Sequence, residues 1–147
     1  MNRTFVVDAH VVVKWLVQET DSDQAALLLD CDVQICAPEL VFAEAANALW
    51  AISRRGNISA SDFAEAITAL QNAPIAVRHP MSRLMPAASQ MATDLDHPVY
   101  DCSYLALAIQ TQYPVVTADR TFLNKAGTHP YFSRFLMGLD QVAEELR

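Results

Sequence analysis

Four carboxylates stand where an ionised side chain is expensive. Asp8 ends the apolar run Phe5-Val6-Val7 and is followed, after Ala9-His10, by Val11-Val12-Val13. Glu44 lies inside "APELVFAEAANALW", Asp101 early in "HPVYDCSYLALAIQ", and Asp119 just past "PVVTA". Burying an ionised carboxylate without a cation or hydrogen-bond donors costs several kcal/mol. Acids brought close together repel, and they either share protons or hold a cation. Oxygen ligands with no cysteine or histidine cluster suit Mg²⁺ or Mn²⁺ rather than zinc. Each acid also has a structural explanation: Asp8 and Asp119 as helix N-caps, Asp101 in a first turn facing the helix dipole, Glu44 on a helix surface. Glu44 lies too far inside its segment for capping, and the alanines at 43, 45 and 46 point to close packing. Taken together, the four acids suggest a divalent-metal site.

The elements that must position them alternate. Buried strands are expected over residues 4–7, 34–37, 75–78 and 114–118, with a last one near 135–137. Helices are expected over 11–17, 23–29, 38–55, 61–71, 82–95 and 99–112, with a helical turn or two over 119–126 and a terminal helix after the last strand. Asp21 to Asp23 are read as caps for the second helix, Ser59 or Ser61 for the fourth, and Gly56 as the stop of the third. Strands alternating with helices predict an α/β chain with a mostly parallel sheet. In such sheets ligands gather outside the C-terminal ends of the strands, where Asp8 and Asp119 both fall.

The bulk numbers narrow the class. At 147 residues the chain suits one domain over 1–147, and an apolar share of 52% argues against disorder. Cys31, Cys36 and Cys102 are odd in number and lack C-x-x-C spacing, so free buried thiols are expected. His10, His79, His97 and His129 form no H-x₃-H pair, which argues against zinc. A net charge of −7 speaks against a large nucleic-acid footprint, though not against a small local one. No apolar stretch approaches the roughly 18 residues that span a bilayer, and the apolar run cut off at Asp8 is too short for a secretory signal. A cytoplasmic protein with no membrane partner is expected.

The segments "VVDAHVVVKWLVQE", "APELVFAEAANALW", "HPVYDCSYLALA" and "VVTADRTF", in this order and spacing, resemble PIN-domain ribonucleases of the VapC type, the toxins of prokaryotic toxin–antitoxin pairs. The resemblance covers nearly the whole chain. It implies a three-layer α/β/α sandwich with a central parallel sheet, and an acidic pocket holding one or two Mg²⁺ or Mn²⁺ ions. Asp8, Glu44, Asp101 and Asp119 take the places of the metal-binding, catalytic acids. Thr117 resembles the hydroxyl residue often found beside the last acid, and Asn47 a polar residue common one turn after Glu44. Position 10, usually Ser or Thr in such toxins, is His10 here, a departure that bears on metal geometry. The imidazole is suited to a phosphate contact, a bond to Asp8 or weak metal ligation; equally, it is a neutral substitution.

The implied activity is endonucleolytic hydrolysis of RNA, with metal ions activating a water, shielding the phosphate and stabilising the leaving oxygen. Single-stranded loops are the readable targets, because A-form RNA hides its bases. Lys14, Arg54, Arg55 and Arg120 lie near the motif segments and are candidates for guiding the backbone, with ordinary solvated charge as the alternative. Trp15 and Trp50 fit core or interface positions better than base stacking. The resemblance also implies a homodimer and a cognate antitoxin, whose contact is expected on the apolar surface of "ELVFAEAANALWAI" with the residue 61–71 helix. Two rivals stand beside this reading. A haloacid-dehalogenase-like phosphatase needs an acid two residues after Asp8, where His10 stands. A catalytically silent PIN-like module would keep the fold and only bind RNA or protein.

Overall fold

The computed structural model describes residues 3–30 and 32–147; Cys31 lies outside the described residues. Among the described residues five strands pair in parallel in the order β3-β2-β1-β4-β5. They are β1 (Arg3–Val7), β2 (Val33–Cys36), β3 (Ile75–Ala76), β4 (Val115–Thr117) and β5 (Leu136–Gly138). The helices are α1 (Ala9–Leu16), α2 (Ser22–Ala26), α3 (Leu40–Arg54), α4 (Ala60–Gln71), α5 (Met81–Leu95), α6 (Val99–Thr111), α7 (Arg120–Gly127) and α8 (Leu139–Leu146). This is the expected α/β architecture with a parallel central sheet.

The order of the strands locates the site. From β1 the chain steps outward to β2 and β3, then returns to the other side of β1 for β4 and β5. Right-handed crossovers running in opposite directions place their helices on opposite faces. α1 packs with α2, α3 and α4, while α6 packs with α5 and against β1. The order therefore reverses between β1 and β4, and a doubly wound sheet opens its binding crevice at that point. Val6 and Val7 stand opposite Val115 and Val116, so Asp8 and Thr117, the next residues along, lie side by side at the sheet edge.

The core explains why the central elements read so clearly. Val6, Val7, Val115 and Val116 are fully buried, as strands covered on both faces must be. α6 is buried continuously from Cys102 to Ala108, which makes it a helix apolar all round. α3 buries Val41, Ala45 and Leu49 at helical spacing. It ends as expected at Gly56, whose φ of +79° only glycine adopts without strain. The Gly56 amide donates to the Ser53 carbonyl and the Asn57 amide to the Ile52 carbonyl, closing the helix end.

Several local expectations are corrected. Asp21 does not cap α2: its backbone is left-handed at φ 66° and its carboxylate makes no capping bond. The turn before α2 is held instead by Ser22, whose hydroxyl accepts from the Glu19 amide at 3.0 Å and donates to the Val17 carbonyl. Residues 27–29 tighten into a 3₁₀ turn rather than continuing α2. Pro38 precedes α3, and its carbonyl accepts from the Val41 amide. Of the two candidate serines, Ser59 caps α4 by accepting from the Asp62 amide. β3 spans two residues rather than the four expected and, at the edge of the sheet, pairs only with β2. Among the described residues no helix is long and apolar enough to cross a membrane.

Candidate metal centre

Asp8 follows β1 and begins α1. Its Oδ1 accepts from the Val11 amide at 3.0 Å, and its Oδ2 accepts from the Thr117 hydroxyl. The capping explanation is thus correct as far as it goes, since one oxygen serves the helix. The carboxyl is buried, and its pKa is pushed from 3.8 up to about 6. Burial is the main cause; the nearby Asp101 charge adds to it, while His10 and the two hydrogen bonds pull the other way. Desolvation therefore outweighs the donors present.

Asp119 follows β4 in the same manner. Its Oδ1 caps α7 by accepting from the amides of Thr121 at 3.0 Å and Phe122 at 3.3 Å. Thr117, completely buried, joins the two strand ends: its hydroxyl donates to Asp8 and accepts from the Asp119 amide at 3.0 Å. The hydroxyl residue beside the last acid thus has a definite structural task.

Glu44 and Asp101 approach from α3 and α6. The Tyr104 hydroxyl donates to Glu44 Oε1 at 2.6 Å, bridging the two helices. Burial raises the Glu44 pKa most; Asp101 adds to the rise, and Tyr104 and His10 oppose it. Burial, followed by Glu44, drives the Tyr104 pKa far upward, so the phenol stays a donor. Asp101 stands in the first turn of α6, as expected, and takes a 2.6 Å bond from His97. His97, Asp101 and Asp119 each offer a ligand atom within 4.8 Å of the others. Asp8 and Glu44 lie outside that trio, but both feel the Asp101 charge. The structure thus brings Asp101 and Asp119 within ligand distance of each other, with Asp8 and Glu44 near enough to feel the Asp101 charge.

The donor set fits a hard cation. Among the described residues the ion pairs are Lys14–Glu19 and His97–Asp101, so neither lysine nor arginine neutralises any of the four acids. A buried carboxyl near another acid, without a basic partner, is the situation that a divalent ion bound by oxygens resolves.

The remaining candidates divide. His10 is exposed at the start of α1 and lines a cleft of about 350 Å³ with Glu44, Asn47, Ala48 and Arg55. A second cleft, about 360 Å³, opens where β4 and β5 end, and Thr117, Arg120 and Asn124 line it. Lys14 is occupied locally, donating to Glu19 Oε1 at 3.2 Å and the Thr20 carbonyl at 2.7 Å. Arg54 lies 5.4 Å from the centre of the Trp50 ring. Trp15 is a packing residue whose indole N–H donates to the Ala25 carbonyl, whereas Trp50 is half exposed. Of the α3 segment expected to be an apolar surface, Val41, Ala45 and Leu49 are buried, while Ala43, Asn47 and Trp50 face outward.

The sequence assigns His97 and Tyr104 no place in the site. A search for H-x₃-H pairs does not register H-x₃-D, yet His97 stands four residues before Asp101 and so within reach across one helical turn. Tyr104 stands three residues after Asp101, on the same side of α6.

Comparison with known proteins agrees with this architecture. Residues 6–132 match the family model described as the PIN domain. Ribonuclease VapC3 of Pyrobaculum aerophilum is 28% identical over 121 residues, which cover 82% of this chain and 92% of that protein. The crystal structure of PAE2754 from Pyrobaculum aerophilum superimposes with a TM-score of 0.66 at 21% identity, covering 99% of this chain and 98% of the other. That second likeness concerns the fold.

Proposed function

Because the chain belongs to the PIN domain family, we propose that it is a metal-dependent endoribonuclease, the toxin of a type II toxin–antitoxin pair, acting as one PIN-like domain over residues 1–147. Asp8, Glu44, Asp101 and Asp119 are the metal-binding and catalytic acids of this reading. The observation that carries it is the buried Asp8 carboxyl, set close to Asp101 with no lysine or arginine beside it. The curated relative's name, ribonuclease VapC3, supports RNA as the substrate and an antitoxin as the partner.

A bound Mg²⁺ or Mn²⁺, one or two per site, would supply Lewis acidity toward the phosphate and a lowered pKa for the attacking water. The chain's own residues prepare the place. Thr117 holds Asp8 against the strand ends, and Tyr104 holds Glu44 toward α6. The clefts on either side suit an extended single strand passing over the acids. Arg55 and Asn47 in one cleft and Arg120 in the other are the groups to meet its backbone, with Arg54 further out. His10 is set to meet the scissile phosphate from the first cleft. A homodimer, a cytoplasmic location and an antitoxin covering the acids complete the proposal.

The test is cleavage of single-stranded RNA by the purified protein with Mg²⁺ or Mn²⁺, beside Asp8→Asn and Asp101→Asn. Cleavage by the parent alone supports the reading. If the parent binds Mn²⁺ yet leaves every RNA intact, as the variants do, the chain is a silent PIN-like binding module.

A further inference from the structure

The trio His97, Asp101 and Asp119 suggests at first sight a site with one nitrogen and two oxygen ligands. The surroundings of the imidazole argue otherwise. We infer that His97 is a positioning residue, which holds the Asp101 carboxylate by a hydrogen bond and leaves the ion an all-oxygen inner shell. This inference rests on the metal-dependent reading above.

Three observations support it. His97 Nε2 lies 2.6 Å from Asp101 Oδ2, the distance of a charge-assisted hydrogen bond. His97 Nδ1 is buried and, among the described residues, has no hydrogen-bond partner. A metal-ligating histidine donates its other ring N–H to a carboxylate, carbonyl or water, and no such acceptor meets Nδ1 among the described residues. Ligation through Nε2 would put the ring proton on Nδ1 as an unmet buried donor. With the proton on Nε2 the ring donates to Asp101, and Nδ1 is only a sealed acceptor.

The ring is also braced from its face and from its backbone. It stacks on Phe122 of α7 at 4.9 Å between centroids, with 22° between planes. The Phe122 amide is one of the two that Asp119 caps, so the same residue braces both His97 and the neighbouring acid. On the backbone side, the His97 amide donates to the Ala92 carbonyl at 3.1 Å after Asp96 turns the chain at φ 51°. Lys125 Nζ donates to the Asp96 carbonyl at 2.5 Å. A ring fixed in this way can hold Oδ2 of Asp101 in one orientation and leave Oδ1 for the ion.

The experiment loads the full chain with Mn²⁺ and compares the parent with His97→Ala and His97→Gln. Glutamine extends an amide N–H to about the position of Nε2, so it keeps the donor and removes the imidazole. Expected are a loss of Mn²⁺ affinity of about 10- to 100-fold in His97→Ala and its recovery to within about threefold in His97→Gln. Electron spin-echo spectra of the Mn²⁺-loaded parent should lack the modulation of a directly bound nitrogen. Such a modulation would overturn the inference, as would parent-like affinity in folded His97→Ala or a full loss in His97→Gln. If His97→Ala does not fold, the parent spectrum and His97→Gln decide. A parent that binds no Mn²⁺ would sink the metal-dependent reading as well.

Discussion

The hydroxyl of Thr117 donates to the carboxylate of Asp8 and at the same time accepts the backbone N–H of Asp119. One side chain thereby ties together the ends of β1 and β4, at the point where the strand order reverses. Thr117→Val keeps the shape and removes both bonds, leaving the Asp119 amide unpaired and Asp8 without its second donor. The expected loss is about 1–3 kcal/mol, or a few degrees in melting temperature for a domain of this size. Thr117→Ser should recover most of it. Thermal melts of the three proteins check this.

Asp8 gives the metal-free protein a definite dependence on pH. Its folded pKa, about 6, lies above the ordinary 3.8, so its stabilising contribution is complete below pH 4 and is lost as pH rises through 6. The difference corresponds to about 3 kcal/mol. Asp8→Asn keeps an oxygen to accept from the Val11 amide and never ionises. In a chelator, the variant should therefore melt higher than the parent at pH 8, and the gap should narrow from pH 6 downward and close below pH 4. A gap that stays constant from pH 4 to 8 would contradict the buried-acid account.

Tyr104 and Glu44 link the two helices that bring acids from opposite directions, across 2.6 Å. Tyr104 is almost fully buried, so Tyr104→Phe removes a donor with little change of volume. Hydrogen bonds to charged groups contribute about 1.5–3 kcal/mol. The midpoint of urea unfolding at pH 7.5 should fall accordingly, without a change in slope. The bond also lowers the Glu44 pKa, so its removal should shift the Glu44 titration upward.

Much of this site is legible in the sequence, for a physical reason. Apolar runs ended by an acid mark strand termini, and in a parallel sheet those termini converge on one edge. Asp8 and Asp119 could be placed there without coordinates. The contacts around them were harder to read. His97 and Tyr104 act through side chains packed between elements, and a search for metal-ligand pairs has no reason to register a histidine before an acid or a tyrosine inside an apolar helix. Residues 21–23 are ambiguous because three polar residues suit a cap in several registers; Asp21 makes no capping bond to α2, and the Ser22 hydroxyl holds the preceding turn instead. The cations were least legible: Lys14 satisfies Glu19 and the Thr20 carbonyl, a local pairing that proximity to a motif does not reveal.

Metal binding should reverse the pH trend set by Asp8. An ion held by the four acids binds their ionised forms, so loading at low pH must first displace the proton that burial favours on Asp8. Stabilisation by Mn²⁺ should therefore be small at pH 5 and grow toward pH 8, the range in which the metal-free protein weakens. At 100 times the dissociation constant, mass action contributes about 2.7 kcal/mol, a rise of several degrees in melting temperature. Asp8→Asn and Asp119→Asn should gain much less at every pH, because each removes a charged oxygen from the site. Melting curves at fixed Mn²⁺ across this range, with chelator controls, measure the effect. An equal Mn²⁺ gain in the parent and both variants would place the ion elsewhere on the protein.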